Sequence, residues 1–154
     1  GKPNRQMFIE KWIDNPMCDI KDTAKDSINP PQWQSKPISI KQQLKYKYIM
    51  AIEGNDVASN LKWIMSSQSI AVMPRPKYET WFMEGCLIPN YHYIEIKEDF
   101  SDLIEKVNYY EKNPDIIKKT SKAVALPKKK SSPSLLISFC NFPRSAIIGD
   151  SRCI

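Results

Sequence analysis

Residues 45–74 read KYKYIMAIEGNDVASNLKWIMSSQSIAVMP, and this segment has the clearest secondary-structure pattern in the chain. Its opening run predicts a buried strand that ends at Gly54. The next segment, NDVASNLKWIMSSQ, carries apolar side chains at helical spacing and predicts a helix. SIAVMP then predicts a second short strand, which Pro74 ends. A strand, a helix and a strand in this order are typical of a parallel βαβ unit.

The same alternation continues downstream. KYETWFMEG, residues 77–85, predicts a helix of about two turns with Gly85 at its C-terminal cap. NYHYIEIK, residues 90–97, alternates as a strand does, and residues 99–113 and 114–124 predict consecutive helices. The sequence therefore predicts an α/β fold with a Rossmann-like parallel sheet. Ligands of such sheets bind beyond the carboxyl ends of the strands.

Upstream of residues 45–74 the pattern is weaker. RQMFIEKWI, residues 5–13, predicts a short amphipathic helix, and MCDI, residues 17–20, a short strand. The proline-containing segment 15–37 otherwise predicts a long irregular connection. Ser39 and Gln42 form a capping-box pattern that opens one helical turn.

Three segments follow from these patterns. Residues 1–44 are an N-terminal helix and connecting segment, residues 45–125 a Rossmann-like domain, and residues 126–154 an atypical tail predicted to be poorly ordered. The net charge of the chain is +6, and the tail alone carries five basic residues and one acidic residue. Because most of the charge lies in the tail, the composition argues against a nucleic-acid-binding surface on the folded body.

The remaining composition excludes further classes of protein. No stretch approaches the roughly 18 apolar residues of a membrane helix, and the N-terminal residues lack the apolar core of a signal peptide. The four cysteines, Cys18, Cys86, Cys140 and Cys153, lack the spacing of a metal site. Free thiols in a reducing cytoplasm are expected, with disulfides as the alternative.

The loop EGNDVASN, residues 53–60, joins the first strand to its helix. A glycine there permits a tight turn, and free N–H groups at the helix start can hold an anion such as a diphosphate. The alternative is plain helix capping by Asn55 or Asp56.

PRPKYETW, residues 74–81, follows the second strand. Arg75 and Lys77 add positive charge, and the Glu79 carboxylate can accept both hydroxyls of a ribose. The alternative is that Glu79 only favours the dipole of the predicted helix. His92, the only histidine, is read as a hydrogen-bonded core residue, with a role as a base as the alternative.

Several long motifs occur in order: EGNDVASNLKWIMSS, PKYETWFMEG and IPNYHYIEIKEDFSDL. Over residues 40–115, and more loosely over residues 5–20, the chain resembles glycosyltransferase family 90, and within it the bacterial lipopolysaccharide branch. The resemblance implies the C-terminal, donor-binding domain of a B-type glycosyltransferase. It also implies inverting transfer from a UDP-sugar with neither a cofactor nor a bound metal.

The resemblance assigns donor-binding roles to residues of this sequence. Glu53, Gly54 and Ser59 match the family's diphosphate loop, but Asn60 stands where the family has arginine, so Lys62 or Arg75 is expected to supply the charge. Glu79 matches the family's ribose carboxylate. The expected donor-binding set is Glu53, Gly54, Asn55, Asp56, Ser59, Asn60, Lys62, Arg75, Tyr78 and Glu79.

The resemblance further implies a general base in an N-terminal domain outside this chain, so that the chain alone would be inactive. Its partners would be a UDP-sugar and a lipopolysaccharide or oligosaccharide acceptor, in the cytoplasm, with peripheral contact at the inner face of the inner membrane as a further expectation. The alternative is a non-catalytic UDP-binding or protein-interaction remnant of a truncated gene.

Overall fold

The computed structural model of the chain describes residues 3–24 and 27–116 in full, and the backbone of residues 135–138. Its helices are α1 (Pro3–Trp12), α2 (Ile40–Gln43), α3 (Leu61–Met65) and α4 (Leu103–Lys112). Its strands are β1 (Cys18–Lys21), β2 (Tyr48–Met50), β3 (Ile70–Met73), β4 (Ile94–Glu95) and β5 (Leu135–Ser138). Short 3-10 helices lie at Pro31–Trp33 and Glu84–Cys86. The helices of the described residues are too short or too polar to span a bilayer.

The strands form one sheet in the order β1-β5-β2-β3-β4, and every pair is parallel. This confirms the predicted α/β class, and the sheet is consistent with a Rossmann-like fold. From β2 the chain proceeds to β3 and β4 on one side, whereas β5 and β1 lie on the other side. From β1 to β4 the chain crosses the sheet in one direction, and β5 returns to lie between β1 and β2. Ligands of open parallel sheets bind beyond the carboxyl ends of the strands.

Both faces of β2 are buried. Tyr48, Met50 and Ile52 point to one face and pack in a core with residues of α1 and α4. Ile49 and Ala51 point to the other face and pack with residues of α3. The apolar run YIMAI suits a strand that is covered on both faces.

The N-terminal predictions are confirmed. The helix predicted for residues 5–13 is α1, and the strand predicted for MCDI is β1. The capping box is present, since Ser39 N–H donates to Gln42 Oε1 at 2.9 Å and Gln42 N–H donates to Ser39 Oγ at 3.3 Å. Phe8 of α1 packs in the same core as β2, so the N-terminal segment is part of this folded unit.

The helix predicted for residues 55–68 is wrong in its extent, because only α3 is helical. The residues before α3 form turns. Asp56 Oδ1 accepts a hydrogen bond from Val57 N–H at 2.7 Å, and Asn60 Nδ2 donates to the Met50 carbonyl at 2.8 Å. The Asp56 bond is local and competes with helical backbone bonds, and the Asn60 bond ties the segment to β2. Together they explain why the helix begins late.

The helix predicted for residues 77–85 is also wrong. The chain there is extended and then turns, and Met83 has a φ of 57°, a left-handed conformation that no α-helix contains. The Glu84 carboxylate accepts the Thr80 N–H at 2.7 Å and closes this turn. Tyrosine, threonine, tryptophan and phenylalanine have weak helix propensity, so the local sequence does little to favour a helix over this turn. The strand predicted for residues 90–97 is shorter in the structure, where only β4 (Ile94–Glu95) is a strand.

Part of the predicted tail is a strand. β5 lies between β1 and β2, and Leu135 is in register with both Cys18 and Tyr48. The prediction of a poorly ordered tail is therefore wrong for Leu135–Ser138, where LLIS is the branched apolar sequence that a parallel strand favours. Residues 114–116 begin the predicted second helix, and its remainder and the rest of the tail lie outside the described residues.

The amino edge of the sheet is fixed by one carboxylate. Glu111 Oε1, at the end of α4, accepts from Lys47 Nζ at 2.5 Å and from the Tyr48 hydroxyl at 2.6 Å. Burial, together with the bond to Glu111, raises the pKa of Tyr48. These contacts attach α4 to the start of β2, at the end opposite the predicted site.

Candidate functional site

Three loops follow the carboxyl ends of β2, β3 and β4 and meet at one edge of the sheet. Glu53, after β2, accepts hydrogen bonds from Lys77 N–H at 3.1 Å and from Tyr78 N–H at 3.3 Å, both after β3. Lys77 Nζ in turn pairs with Glu98, after β4, at 2.7 Å. The structure thus brings together the strand ends that the sequence singled out. The Glu53 carboxylate joins the loop after β2 to the loop after β3 through these hydrogen bonds.

A cavity of about 240 Å³ lies between these loops and the start of α1. Its charged lining residues are Glu53, Arg75, Lys77, Glu98 and Asp99. Its other lining residues are Asn4, Met7, Ala51, Ile52, Pro74 and Phe100. Apolar walls with a few converging polar groups are typical of small-molecule sites. Of the ten residues predicted to bind the donor, only Glu53 and Arg75 line this cavity.

Phe100 closes one wall of the cavity in an unusual conformation. Its φ is 58°, in the left-handed region that aromatic residues rarely adopt. Trp12 Nε1 donates to the Phe100 carbonyl at 3.1 Å, and the Phe8 ring meets the Phe100 ring edge-on at 5.0 Å between centroids. Lys11 Nζ donates to the neighbouring Asp99 carbonyl at 2.8 Å. Helix α1 therefore holds this loop, a role that no local sequence signal indicated.

The loop between β2 and α3 presents unsatisfied backbone donors. Gly54 N–H donates to the Asp56 carbonyl at 3.1 Å, and Val57 N–H to the Asp56 side chain. The N–H groups of Asn55, Asp56, Ala58, Ser59 and Asn60 have no acceptor within the described part of the chain. Neither Gly54 nor Gly85 has a positive φ, so the turn does not depend on glycine's left-handed freedom. Backbone N–H groups collected in one turn can hold an anion.

The side chains of Asn60 and Lys62 have different partners: Asn60 bonds to β2, and Lys62 contacts Trp81. The Asn60 amide is bonded to the Met50 carbonyl of β2 and is thereby turned toward the sheet. The Lys62 ammonium lies 5.0 Å from the ring centroid of Trp81, a cation–π contact. Among the described residues, neither Lys62 nor Arg75 forms a salt bridge, so both cations remain available to an anionic ligand.

The loop after β3 is organised by Glu84, which the sequence did not single out. Glu84 is only 2% exposed, and it accepts from Thr80 N–H at 2.7 Å and from Thr80 Oγ1 at 2.8 Å. Burial alone would raise the pKa of Glu84, but the backbone N–H groups of Thr80 and Glu84, the Thr80 hydroxyl and the charge of Lys62 together lower it. Both residues belong to KYETWFMEG, the segment predicted as a helix, and in the structure they close this turn instead.

Glu79 precedes that turn and is exposed. Its carboxylate has no hydrogen-bond donor among the described residues, and it lies on the side of Gly85 where a Cβ atom would stand. Because no α-helix begins at Glu79, the helix-dipole alternative is wrong. Tyr78, 45% exposed, lies beside it and donates its backbone N–H to Glu53.

The profile of Glycosyl transferase family 90 matches residues 8–125, which is most of the chain. This chain belongs to glycosyl transferase family 90. The match runs from within α1 past α4 and includes all ten residues of the predicted donor-binding set, and it confirms the resemblance drawn from the motifs.

Individual relatives agree with this membership. The chain is 44% identical over 112 residues to the O-glucosyltransferase LpsA of Dichelobacter nodosus, covering 73% of this chain and 35% of LpsA. It is 35% identical over 79 residues to Protein O-glucosyltransferase 3 of Homo sapiens, covering 51% of this chain and 15% of the human protein. It is 31% identical over 122 residues to protein 179R of Invertebrate iridescent virus 6, covering 73% of this chain and 10% of that protein. The family 90 chain thus spans about a third of LpsA and less of the other two.

The histidine and the described cysteines of this family 90 chain do not line the cavity of the candidate site. His92 Nδ1 accepts the Ile88 N–H at 2.8 Å, so the predicted hydrogen bond is present. The predicted core position is wrong, because the side chain is only half-buried and belongs to neither core cluster. Cys18 and Cys86 are free thiols, and burial raises the pKa of Cys18 to about 11. Cys140 and Cys153 lie outside the described residues. Within residues 3–24 and 27–116, no three His, Cys, Asp or Glu side chains are arranged to hold a metal ion.

We expect Glu84→Gln to lower the free energy of unfolding at pH 7 by about 1.5–3 kcal/mol, since the buried bonds to a charged group weaken. The folded-state pKa of Glu84 is lowered, so its stabilising effect is complete above the unfolded pKa and is lost as the pH falls through the folded value. The difference between the two proteins should therefore shrink below pH of about 4.3. Urea unfolding from pH 7 to pH 3 measures this, and a difference that stays constant with pH would contradict it.

Proposed function

We propose that this chain is the donor-binding part of a family 90 glycosyltransferase and binds a UDP-sugar at the carboxyl edge of its sheet. The complete enzyme would transfer a hexosyl group to a lipopolysaccharide or capsule acceptor sugar, with inversion and without a metal ion. The chain spans 35% of LpsA, and we assign the general base to a part of the enzyme outside it. The isolated chain would then bind the donor without turnover.

The observation that carries this proposal is the turn before α3. Five backbone N–H groups between Asn55 and Asn60 have no acceptor in the described chain, and Lys62 follows them directly. A diphosphate offers oxygens for several of these donors. Because α3 has only five residues, its dipole adds little, so individual N–H groups and the lysine charge must hold the anion.

Lys62 takes the place of the arginine that the family has at the position of Asn60. The Asn60 side chain is bonded to β2 and is not directed to the ligand. Lys62 is two residues further along the chain and is free of salt bridges within the described residues. Arg75 remains the alternative source of charge, and it lines the cavity beside Glu53.

Glu79 is assigned to the ribose. Its two carboxylate oxygens have no donor in the described chain, and a vicinal diol offers two hydroxyl donors to one carboxylate. An exposed carboxylate left without partners is consistent with a group that binds a ligand. The turn closed by Thr80 and Glu84 fixes the backbone from which Glu79 projects.

The reaction would be the attack of an acceptor hydroxyl on the anomeric carbon, with UDP as the leaving group. Negative charge then develops on the diphosphate as the glycosidic bond breaks. Fixed N–H groups and a lysine charge stabilise that charge without reorganising during the reaction. The name of LpsA makes UDP-glucose the first donor to test, and we place the enzyme in the cytoplasm at the inner face of the inner membrane.

A calorimetric titration of the chain with UDP, UDP-glucose, UDP-galactose and UDP-N-acetylglucosamine tests the proposal. We expect saturable binding of UDP, with differences between the sugars that identify the donor. No binding of any of these at about 1 mM ligand would contradict it, since that corresponds to a free energy weaker than about −4 kcal/mol.

Metal removal gives a separate prediction. UDP affinity should be the same within twofold in excess EDTA and in added magnesium or manganese, because backbone N–H groups and Lys62 take the place of a metal in the proposed site. The measurement is a paired titration of one protein batch. Binding that disappears with EDTA and returns with the metal would contradict this part of the proposal.

A further inference from the structure

We propose that Gly85 is a positioning residue, whose missing side chain provides the place where the Glu79 carboxylate rests. By setting that carboxylate, Gly85 would determine how well the site distinguishes ribose from deoxyribose. This inference rests on the proposed ribose contact of Glu79 and adds a second residue to it.

The backbone does not explain a glycine at this position. The sequence predicted Gly85 as a helix C-terminal cap, for which a left-handed conformation is typical. The structure has no α-helix there, and the φ of Gly85 is not positive. Gly85 is also exposed, so a larger residue would meet no buried core.

The contact with Glu79 does explain it. A Cβ placed on Gly85 would lie 3.3 Å from Glu79 Oε1, 3.6 Å from its Cδ and 3.7 Å from Oε2. The closest of these separations is tighter than ordinary van der Waals contact, so the carboxylate would have to move by a few tenths of an ångström. Since the carboxylate has no hydrogen-bond donor in the described chain, no hydrogen bond would hold it in place against a methyl group at position 85.

Both partners of this contact are held by one closed turn. Glu79 directly precedes Thr80, and Gly85 directly follows Glu84, while Thr80 and Glu84 are joined by bonds of 2.7 and 2.8 Å. The turn therefore sets the distance between Glu79 and Gly85. A methyl group at position 85 would displace the carboxylate rather than open the turn, because the Glu79 side chain is the freer part.

The experiment compares UDP with 2′-deoxy-UDP. The parent chain should prefer UDP by about tenfold, since a hydrogen bond to a charged group is lost without the 2′-hydroxyl. Gly85→Ala should lower UDP affinity about fivefold and reduce that preference to about threefold or less, at an unchanged melting temperature. Gly85→Ser should behave in the same way, and Cys86→Ala, an exposed change in the same turn, should behave as the parent chain.

A double-mutant cycle isolates the coupling. In a Glu79→Gln background, Gly85→Ala should change UDP affinity by less than about twofold. The reason is that the carboxylate proposed to bind the ribose is already absent, so its displacement has no further effect. A Gly85→Ala chain that keeps the full preference for UDP would overturn this inference and leave the proposed function standing. A parent chain that binds UDP without preferring it to 2′-deoxy-UDP would overturn it too. A parent chain that binds no UDP would overturn the proposed function itself.

Discussion

Glu79→Gln should lower the affinity of the chain for UDP by about tenfold or more. The substitution keeps the shape of the side chain but replaces one acceptor oxygen with a donor and removes the charge. A hydrogen bond to a charged group contributes roughly 1.5–3 kcal/mol, which corresponds to a tenfold effect or larger. Calorimetric titration of the two proteins under the same conditions measures the difference.

The melting temperature should hardly change in the same variant. Glu79 is exposed, begins no α-helix and has no hydrogen-bond donor among the described residues, so its charge contributes little to folding. Glu105→Gln is the matched control, because Glu105 is an exposed glutamate on α4 without a described partner. UDP affinity within twofold of the parent chain in Glu79→Gln would exclude the ribose role of Glu79.

Lys62→Met should lower UDP affinity by about tenfold and leave the affinity for uridine unchanged. Methionine keeps much of the apolar stem over Trp81 but removes the ammonium group, which we assign to the diphosphate. The loss of a charge-assisted contact is again roughly 1.5–3 kcal/mol. Because uridine lacks phosphate, the ratio of UDP to uridine affinity reports this contact separately from general damage to the fold.

Two further variants complete this test. Lys45→Met removes an exposed lysine before β2, at the opposite edge of the sheet, and should leave the ratio unchanged. Arg75→Met tests the alternative source of charge. If Arg75→Met reduces the ratio and Lys62→Met does not, the diphosphate lies on the cavity side, and the assignment to Lys62 is wrong.

The core of the fold could be predicted because its signal is local. YIM and IAVM are apolar on both faces, and such runs belong to buried parallel strands. The capping box at Ser39 and Gln42 was visible for the same reason, since its partners are three residues apart. The predicted α/β class follows directly from these elements.

Two predicted helices were wrong because side chains redirected the backbone. Asp56 bonds to its own neighbour and Asn60 reaches back to β2, which no helical periodicity reveals. After β3, Glu84 is buried with Thr80 in a turn whose spacing imitates one turn of helix. The position of β5 between β1 and β2 was equally hidden, because the pairing joins residues far apart in the sequence.

The meeting of the strand ends could be predicted, because the carboxyl ends of parallel strands lie at one edge of a sheet. The loops that carry Glu53 and Lys77 do meet there, and the roles of Glu53, Arg75 and Glu79 in binding stay predictions. It did not show that Glu53 is bonded to the backbone of the next loop, nor that α1 shapes the cavity through Phe100. Those contacts depend on how the elements pack, which a local pattern does not specify.

The most direct test of the central claim is to follow the backbone amide signals of the isotope-labelled chain while UDP is added. We expect saturable shifts for residues 55–60, in which all N–H groups except that of Val57 have no acceptor in the described chain, and for residues 79–81. Signals of Lys47, Tyr48 and Glu111, at the amino edge, should stay in place. The absence of saturable shifts, or shifts confined to the amino edge, would contradict a UDP site at the carboxyl ends of β2 and β3.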